Sequence, residues 1–235
     1  MHRGKVEIVE IIQENSDTKT FRLKLLNGKM DFKPGQFAVL QIPAELGGGP
    51  KYSRAYSIAS SPTEEIVELT MNIVGMFTKQ MDTLQTGAVL NMQGPFGPFH
   101  LNEEKHHDIV TISGGTGITP FRSMWRYIAA KKLSIKITPL VSFKHLKDYV
   151  YTKELGEMEK HGKALITLTR EPEGTNWKGN RGRINAEFIK KHVGKLDGKT
   201  FFICGSNSLN DGMSQTLQSL GVAQENIIME KWGEF

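Results

Sequence analysis

Cysteine is almost missing from this chain: Cys204 is the single one among 235 residues. An internal disulfide is therefore excluded, and so is an iron–sulfur cluster held by four cysteines of these residues. Any redox chemistry here must use a bound organic cofactor or a partner. Long apolar runs are missing as well, since none approaches the ~20 residues that a membrane-spanning helix needs. The opening segment MHRGKVEIVEII has no apolar signal core and reads as a basic lead-in to a strand. A cytoplasmic protein without a membrane span is the expectation. The formal net charge of +5 favours contact with anions, but the lysines are spread along the chain rather than blocked. Zinc-finger spacing, RNP-like aromatic motifs and arginine-rich arms are all absent, so no nucleic-acid partner is expected.

What is present falls into two rhythms. Residues 1–101 read as short apolar or alternating strands: KVEIVEII, FRLKLL, QFAVLQI, RAYSIAS, IVELTMNIV and AVLNMQ. Turn formers separate them, among them Asn27-Gly28, Lys33-Pro34-Gly35, Ser61-Pro62 and Gly94-Pro95. Six strands so spaced predict a small antiparallel Greek-key β-barrel. One helix interrupts them at 78–84, with Thr78 as its expected N-cap. Beyond the polar stretch NEEKHH, strands and helices alternate. HDIVTIS, SIKITPLVSF, ALITLTR, KTFFIC and NIIMEKW are strands, with helices at 120–132 and near 152–161, 185–193 and 208–220. In the first of these helices Phe121, Met124, Trp125, Ile128 and Ala129 form one apolar stripe. This rhythm predicts a Rossmann-like α/β domain built on a five-stranded parallel sheet. The expected domains are residues 1–102 and 107–235.

Four short segments carry candidate chemistry. R-A-Y-S-I-A-S (54–60) sets a guanidinium, a phenol and two hydroxyls beside small residues. It reads either as a plain strand before a Ser-Pro turn or as a holder of something flat and phosphorylated. S-G-G-T-G-I-T-P-F (113–121) ends the first strand of the second half. Its glycines permit a tight turn and close approach of a ligand, Thr119 can cap the helix, and Pro120 suits its first turn. The alternative is a simple tight connection. C-G-S-N-S-L-N-D-G-M (204–213) also follows a strand, at the end where open α/β sheets bind ligands. There Cys204 is equally readable as a small buried hydrophobe. The segment 168–185 carries Arg170, Lys178, Arg181 and Arg183, either an anion site or a solvated face.

Taken together and in this order, R-A-Y-S-I-A-S, G-M-F-T (75–78), G-G-T-G-I-T-P and C-G-S-N make the chain resemble the ferredoxin–NADP reductase family over nearly its full length. The resemblance implies an N-terminal FAD-binding barrel and a C-terminal NADP-binding α/β domain. It implies that Arg54 pairs with flavin phosphate, that Tyr56 lies against the isoalloxazine, that Ser57 hydrogen-bonds near flavin N5, and that Ala55 is among the FAD-binding residues. Met71 and Asn72 would line the flavin, and Gly75, Met76, Phe77 and Thr78 would meet its pyrophosphate. Met76 and Phe77 are also readable as simple core packing. Gly115, Thr116, Gly117 and Pro120 would cradle the pyridine nucleotide, and Cys204, Gly205 and Ser206 would flank the hydride-transfer point. The closing Glu230-Lys231-Trp232 matches the family's glutamate-x-aromatic ending. Glu230 would act with Ser57 and Cys204 in catalysis, and Trp232 would cover the flavin, although Phe235 could fold back in its place. Thr169-Arg170 and Arg183 match the pair and the extra arginine that hold the 2′-phosphate of NADP, whereas Glu171 and Glu173 would oppose a phosphate.

The resulting expectation is a ferredoxin– or flavodoxin–NADP(+) reductase-type flavoenzyme, acting as a monomer. It would pass hydride between NADPH and FAD and single electrons to or from an acidic carrier, with no metal site of its own. Two other readings stay open: the reductase component of an oxygenase system or a free-flavin reductase, and a non-catalytic flavin-binding electron-transfer subunit.

Overall fold

The computed structural model describes residues 1–49 and 51–230; the calls on Trp232 and Phe235 lie outside them. The first half forms six antiparallel strands: β1 (His2–Gln13), β2 (Thr18–Leu25), β3 (Phe37–Gln41), β4 (Ser53–Ser57), β5 (Ile66–Asn72) and β6 (Val89–Phe96). Their order across the sheet is β4-β3-β6-β1-β2-β5. The sheet curls until its edges meet. Ile58, just past β4, bridges Leu69 on β5, and Ala59 N–H donates to Glu68 O at 2.8 Å. Alternation along each strand sends one row inward. Val6 and Ile8, Phe21 and Leu23, Ala38 and Leu40 are all fully buried in this core.

A seven-residue helix, α1 (Met76–Asp82), follows β5. It starts two residues earlier than the expected 78. Gly75 is its N-cap, and Thr78 stands inside the first turn. The Thr78 hydroxyl accepts from the N–H groups of Val74 and Gly75, each at 3.0 Å, and donates to Gly75 O at 3.1 Å. Thr78 thus caps backward from within the helix rather than from its edge.

The second half contains β7 (Asp108–Gly114), α2 (Thr119–Lys131), β8 (Lys136–Phe143), α3 (Thr152–Lys160), β9 (Leu165–Leu168), β10 (Asn180–Arg181), α4 (Ala186–Val193), β11 (Thr200–Cys204), α5 (Asn207–Ser219) and β12 (Ile227–Glu230). Its sheet is parallel, in the order β10-β9-β8-β7-β11-β12. The expected five strands are joined by a sixth, β10, whose two polar residues carry no periodicity to read. Capping sets two helix starts: Asn185 accepts from Phe188 N–H at 2.8 Å, and Ser206 accepts from Leu209 N–H at 3.3 Å. From β7 the chain builds outward through β8, β9 and β10, then returns to lay β11 and β12 on the other side. The switch point of the topology therefore lies between β7 and β11, whose following segments are the glycine turn and C-G-S-N.

The chain divides into two compact units: Met1–Leu101 with Thr119–Lys132, and Asn102–Ile118 with the chain from Leu133 onward. Helix α2 thus lies in the barrel's unit. Phe121, Met124, Trp125 and Ile128 are buried as the stripe requires, while Ala129, expected to share it, is exposed. Ser123 is buried too, and its hydroxyl donates to Ser60 O at 2.6 Å.

Candidate functional site

In the first unit, β4 carries Arg54 and Tyr56 two residues apart, hence on one side of the strand. The Arg54 guanidinium donates to Ser53 O at 2.7 Å and Lys51 O at 3.4 Å, and has no carboxylate partner among the described residues. Tyr56 packs on Phe77 from α1, with ring centroids 5.8 Å apart and planes tilted 33°. Burial pushes the Tyr56 phenol well above its usual range, against a smaller opposing pull from Arg54. The R-A-Y-S and G-M-F-T segments, some twenty residues apart in sequence, are thus one surface. Ser57 is half-buried and its hydroxyl has no partner among the described residues. Ala55 is exposed, Met71 is buried in β5, and Asn72 accepts from the Thr18 hydroxyl at 2.8 Å. Met76 is exposed, at 57 %, whereas Phe77 is buried, so the packing alternative holds for Phe77 alone.

In the second unit, the turn Gly115–Ile118 winds as a short 3-10 helix off the end of β7. Gly115 has φ +56°, and a Cβ on Gly117 would stand 2.2 Å from Cys204 O. Only glycine lets this turn rest on the end of β11. Thr116 is half-buried; Pro120, in the first turn of α2 and so in the first unit, is buried. Cys204 pairs in register with Ser113 on β7 and with Glu230 on β12. Cys204 is fully buried, and burial, then the neighbouring Glu230, pushes its thiol well above the ordinary value. Burial pushes the Glu230 carboxyl up to about 7. Gly205 is buried and Ser206 is exposed as the N-cap of α5. The glycine turn, Cys204-Gly205 and Glu230 are therefore brought together at the C-terminal end of the sheet.

Thr169 and Arg170 lie at the end of β9, held by Thr169 N–H to Phe143 O at 2.9 Å and Arg170 N–H to Lys144 O at 2.8 Å. The side chains of Arg170 and Arg183 are exposed and carry no ion pair among the described residues. Arg181 differs, because it staples its own loop through Glu171 O at 2.8 Å, Pro172 O at 3.1 Å and the Thr175 hydroxyl at 3.1 Å. Glu171 is occupied as well. Its carboxylate accepts from Leu146 N–H at 2.8 Å and lies 3.8 Å from His145 Nδ1.

Residues 5–101 match the family described as oxidoreductase FAD-binding domain, and residues 111–215 the oxidoreductase NAD-binding domain. The gamma subunit of sulfhydrogenase 1 from Pyrococcus furiosus is 30% identical over 97% of this chain and 78% of its own length. The chain belongs to the ferredoxin–NADP reductase family. The glycine betaine monooxygenase reductase subunit of Pseudomonas aeruginosa is 29% identical over 98% of this chain and 64% of its own length. The chain thus spans under two thirds of that subunit. Among solved structures, a ferredoxin NADP+ reductase from Neisseria gonorrhoeae superposes with a TM-score of 0.82, at 22% identity, over 98% of either chain.

As an oxidoreductase of the ferredoxin–NADP reductase family, the chain has residues that fit both groups its two domains are described as binding. Among the described residues Arg54 keeps a cation with no competing carboxylate, Tyr56 and Phe77 make an apolar wall, and Gly117 lets the glycine turn lie against Cys204. Two groups of residues were not legible beforehand. Glu68 on β5 is only 4% exposed, yet it meets Arg22 Nε at 3.1 Å, Arg126 Nη1 at 3.2 Å and Arg122 Nη1. The lone glutamate in the apolar strand IVELTMN was its signal. Asn210 is fully buried in α5 and donates to Glu230 O at 2.7 Å; nothing in its sequence context marks it. Among the described residues no cluster of His, Cys, Asp and Glu suits a metal ion, and no helix is long and apolar enough to cross a membrane.

Proposed function

We propose that the protein is an NADPH-dependent flavoprotein reductase that feeds single electrons to an acidic carrier protein of the ferredoxin or flavodoxin kind. Bound FAD supplies chemistry that accepts a hydride from the nucleotide and releases electrons one at a time. The protein's residues bind, orient and protect. Arg54 holds a flavin phosphate by a charge-assisted contact, and Tyr56, backed by Phe77, supports one ring face. Ser57 offers its unpaired hydroxyl at flavin N5. The N–H groups at the start of α1 face the pyrophosphate, with Thr78 shaping the turn that presents them. Ala55, Met71 and Asn72 complete the flavin wall.

On the nucleotide side, Gly115, Thr116, Gly117 and Pro120 form the cradle, and Cys204, Gly205 and Ser206 the wall beside the nicotinamide. With its carboxyl titrating near neutral pH, Glu230 can hold or release a proton at that end of the sheet. Cys204 works as a neutral, compact wall, since its thiol is held protonated. The observation that carries this reading is the seat of Gly117 on the Cys204 carbonyl, where a Cβ would come to 2.2 Å. That seat lays the glycine turn after β7 against Cys204-Gly205 after β11, so the two segments stand side by side at the switch point of the sheet, where open α/β sheets bind ligands. NADPH is favoured over NADH because Thr169, Arg170 and Arg183 leave two guanidinium groups uncommitted, while Glu171 is tied to Leu146.

The test is anaerobic mixing of the FAD-reconstituted protein with NADPH and, separately, NADH, following loss of the flavin's visible absorbance. Fast bleaching by NADPH and slow bleaching by NADH is the expected result. Equal rates would overturn the nucleotide assignment, and no bleaching by either would overturn the reductase.

A second reading, the reductase component of an oxygenase system, is favoured by the likeness to the glycine betaine monooxygenase reductase subunit. With one cysteine, these residues hold no four-cysteine cluster, so the one-electron centre would be carried elsewhere. Reduction of a candidate oxygenase in place of ferredoxin by the NADPH-reduced protein separates the two.

A further inference from the structure

Helix α5 buries an asparagine. Asn210 is 0% exposed, on the helix that also sends the side chain of Leu217 into the core. Its amide nitrogen donates to the main-chain carbonyl of Glu230 at 2.7 Å, while its Oδ1 has no hydrogen-bond partner among the described residues. The orientation of the amide is fixed by chemistry, because the opposite one would set two oxygens face to face. An unpaired buried acceptor is destabilising, and an apolar side chain would fill the same place without it. The fold alone therefore gives no reason for the asparagine. What it does is hold the last residue of β12. Among the described residues that strand lies at the edge of the sheet, with β11 as its one neighbour, and Glu230 is the last of them. Without Asn210 the end of an edge strand is free to lift.

We propose that Asn210 is a positioning residue for Glu230: by holding the Glu230 carbonyl it sets where the Glu230 carboxyl stands beside Cys204 at the nucleotide-binding end of the sheet. The inference rests on the reductase reading for its kinetic consequence, but its structural half is independent. The titratable group facing Glu230 from β11 is Cys204, and the one carried by α5 is Asp211, which is exposed. Neither brings a fixed positive charge, so the carboxyl answers chiefly to how deeply the strand end is seated.

The test uses Asn210→Leu and Asn210→Asp in the full chain with FAD. Leucine removes the bond on the same branched skeleton, and aspartate sets a carboxylate against the carbonyl. Because Cys204 is the single cysteine, its alkylation rate reports opening at this strand end without any turnover. Both variants should label about tenfold faster, the change that loss of one hydrogen bond gives a local opening equilibrium. In the reductase assay, the pH midpoint of flavin reduction by NADPH should move by about one unit, with the KM for NADPH little changed. Unchanged labelling overturns the proposal. Faster labelling with an unmoved pH midpoint also overturns it, by leaving Asn210 a merely structural role. Should the wild type itself not be reduced, the reductase reading fails, while the labelling result still decides whether Asn210 holds the strand end. Asn210→Ser, which keeps a donor on a shorter side chain, serves the same labelling test if the first two variants do not fold.

Discussion

At the scale of single residues, the chemistry proposed for the nucleotide end turns on Glu230. A free glutamate titrates near 4.5, and burial raises this one to about 7. Between those values the folded protein holds a proton that the unfolded chain has released. Stability conferred by the protonated form is complete below about 4.5 and is lost as pH rises through about 7. Glu230→Gln removes the ionised state, so it should flatten this fall and stabilise the protein at pH 8. The gain should be roughly 1–2 kcal/mol, discounted for partial exposure. Urea unfolding of both proteins at pH 5 and pH 8 checks it; an equal pH dependence would show that Glu230 is not the titrating group. Arg54 makes a different kind of prediction. Its guanidinium forms hydrogen bonds with main-chain carbonyls only, so Arg54→Ala should leave the barrel folded but lose FAD on gel filtration. Arg54→Lys should also bind weakly, because an ammonium cannot make the two parallel contacts.

At the scale of elements, α2 shows what helical periodicity tells and what it leaves open. Its helical stripe was legible, because Phe121, Met124, Trp125 and Ile128 recur at helical spacing whatever they pack against. Which body it packs against was not, since periodicity names a face and not its partner. The partner is set by Arg122 and Arg126 meeting Glu68, and by Ser123 meeting Ser60, pairs more than fifty residues apart. Glu68→Gln leaves those arginines without their carboxylate and should cost about 3 kcal/mol. Chemical denaturation gives the number, and a loss below one third of it would demote the cluster to a surface feature. The same limit explains α1 and β10. Thr78 looked like a cap because threonine caps often, yet its hydroxyl works backward from inside the turn. The two residues of β10 are too few to show any rhythm. The motif segments were legible because glycine and aromatic placement is a local demand. The Tyr56–Phe77 contact and the Asn210–Glu230 bond were not, because both are made by the fold.

At the scale of the whole chain, charge bears on two parts of the proposed function. The first is nucleotide choice. Arg170 and Arg183 are exposed cations with no ion pair among the described residues, near a strand end where Glu171 is already engaged. A hydrogen bond to a charged group contributes about 1.5–3 kcal/mol, so Arg170→Ala with Arg183→Ala should raise the KM for NADPH at least tenfold and leave that for NADH within about twofold. Steady-state kinetics with both nucleotides separates this from general damage, which would move the two together. The second is the partner. The chain carries a formal +5, and an acidic carrier approaching it is drawn in by the summed field before any contact forms. Such steering acts on the association rate and is screened over about 10 Å at 0.1 M salt. Stopped-flow reduction of an acidic ferredoxin by the NADPH-reduced protein should therefore slow steeply between about 0.01 and 0.5 M salt. Reduction of a small neutral acceptor such as a quinone should barely change over the same range. If both rates fall together, salt is acting on the flavin site and not on the encounter. If neither falls, the physiological acceptor is not recognised by its charge.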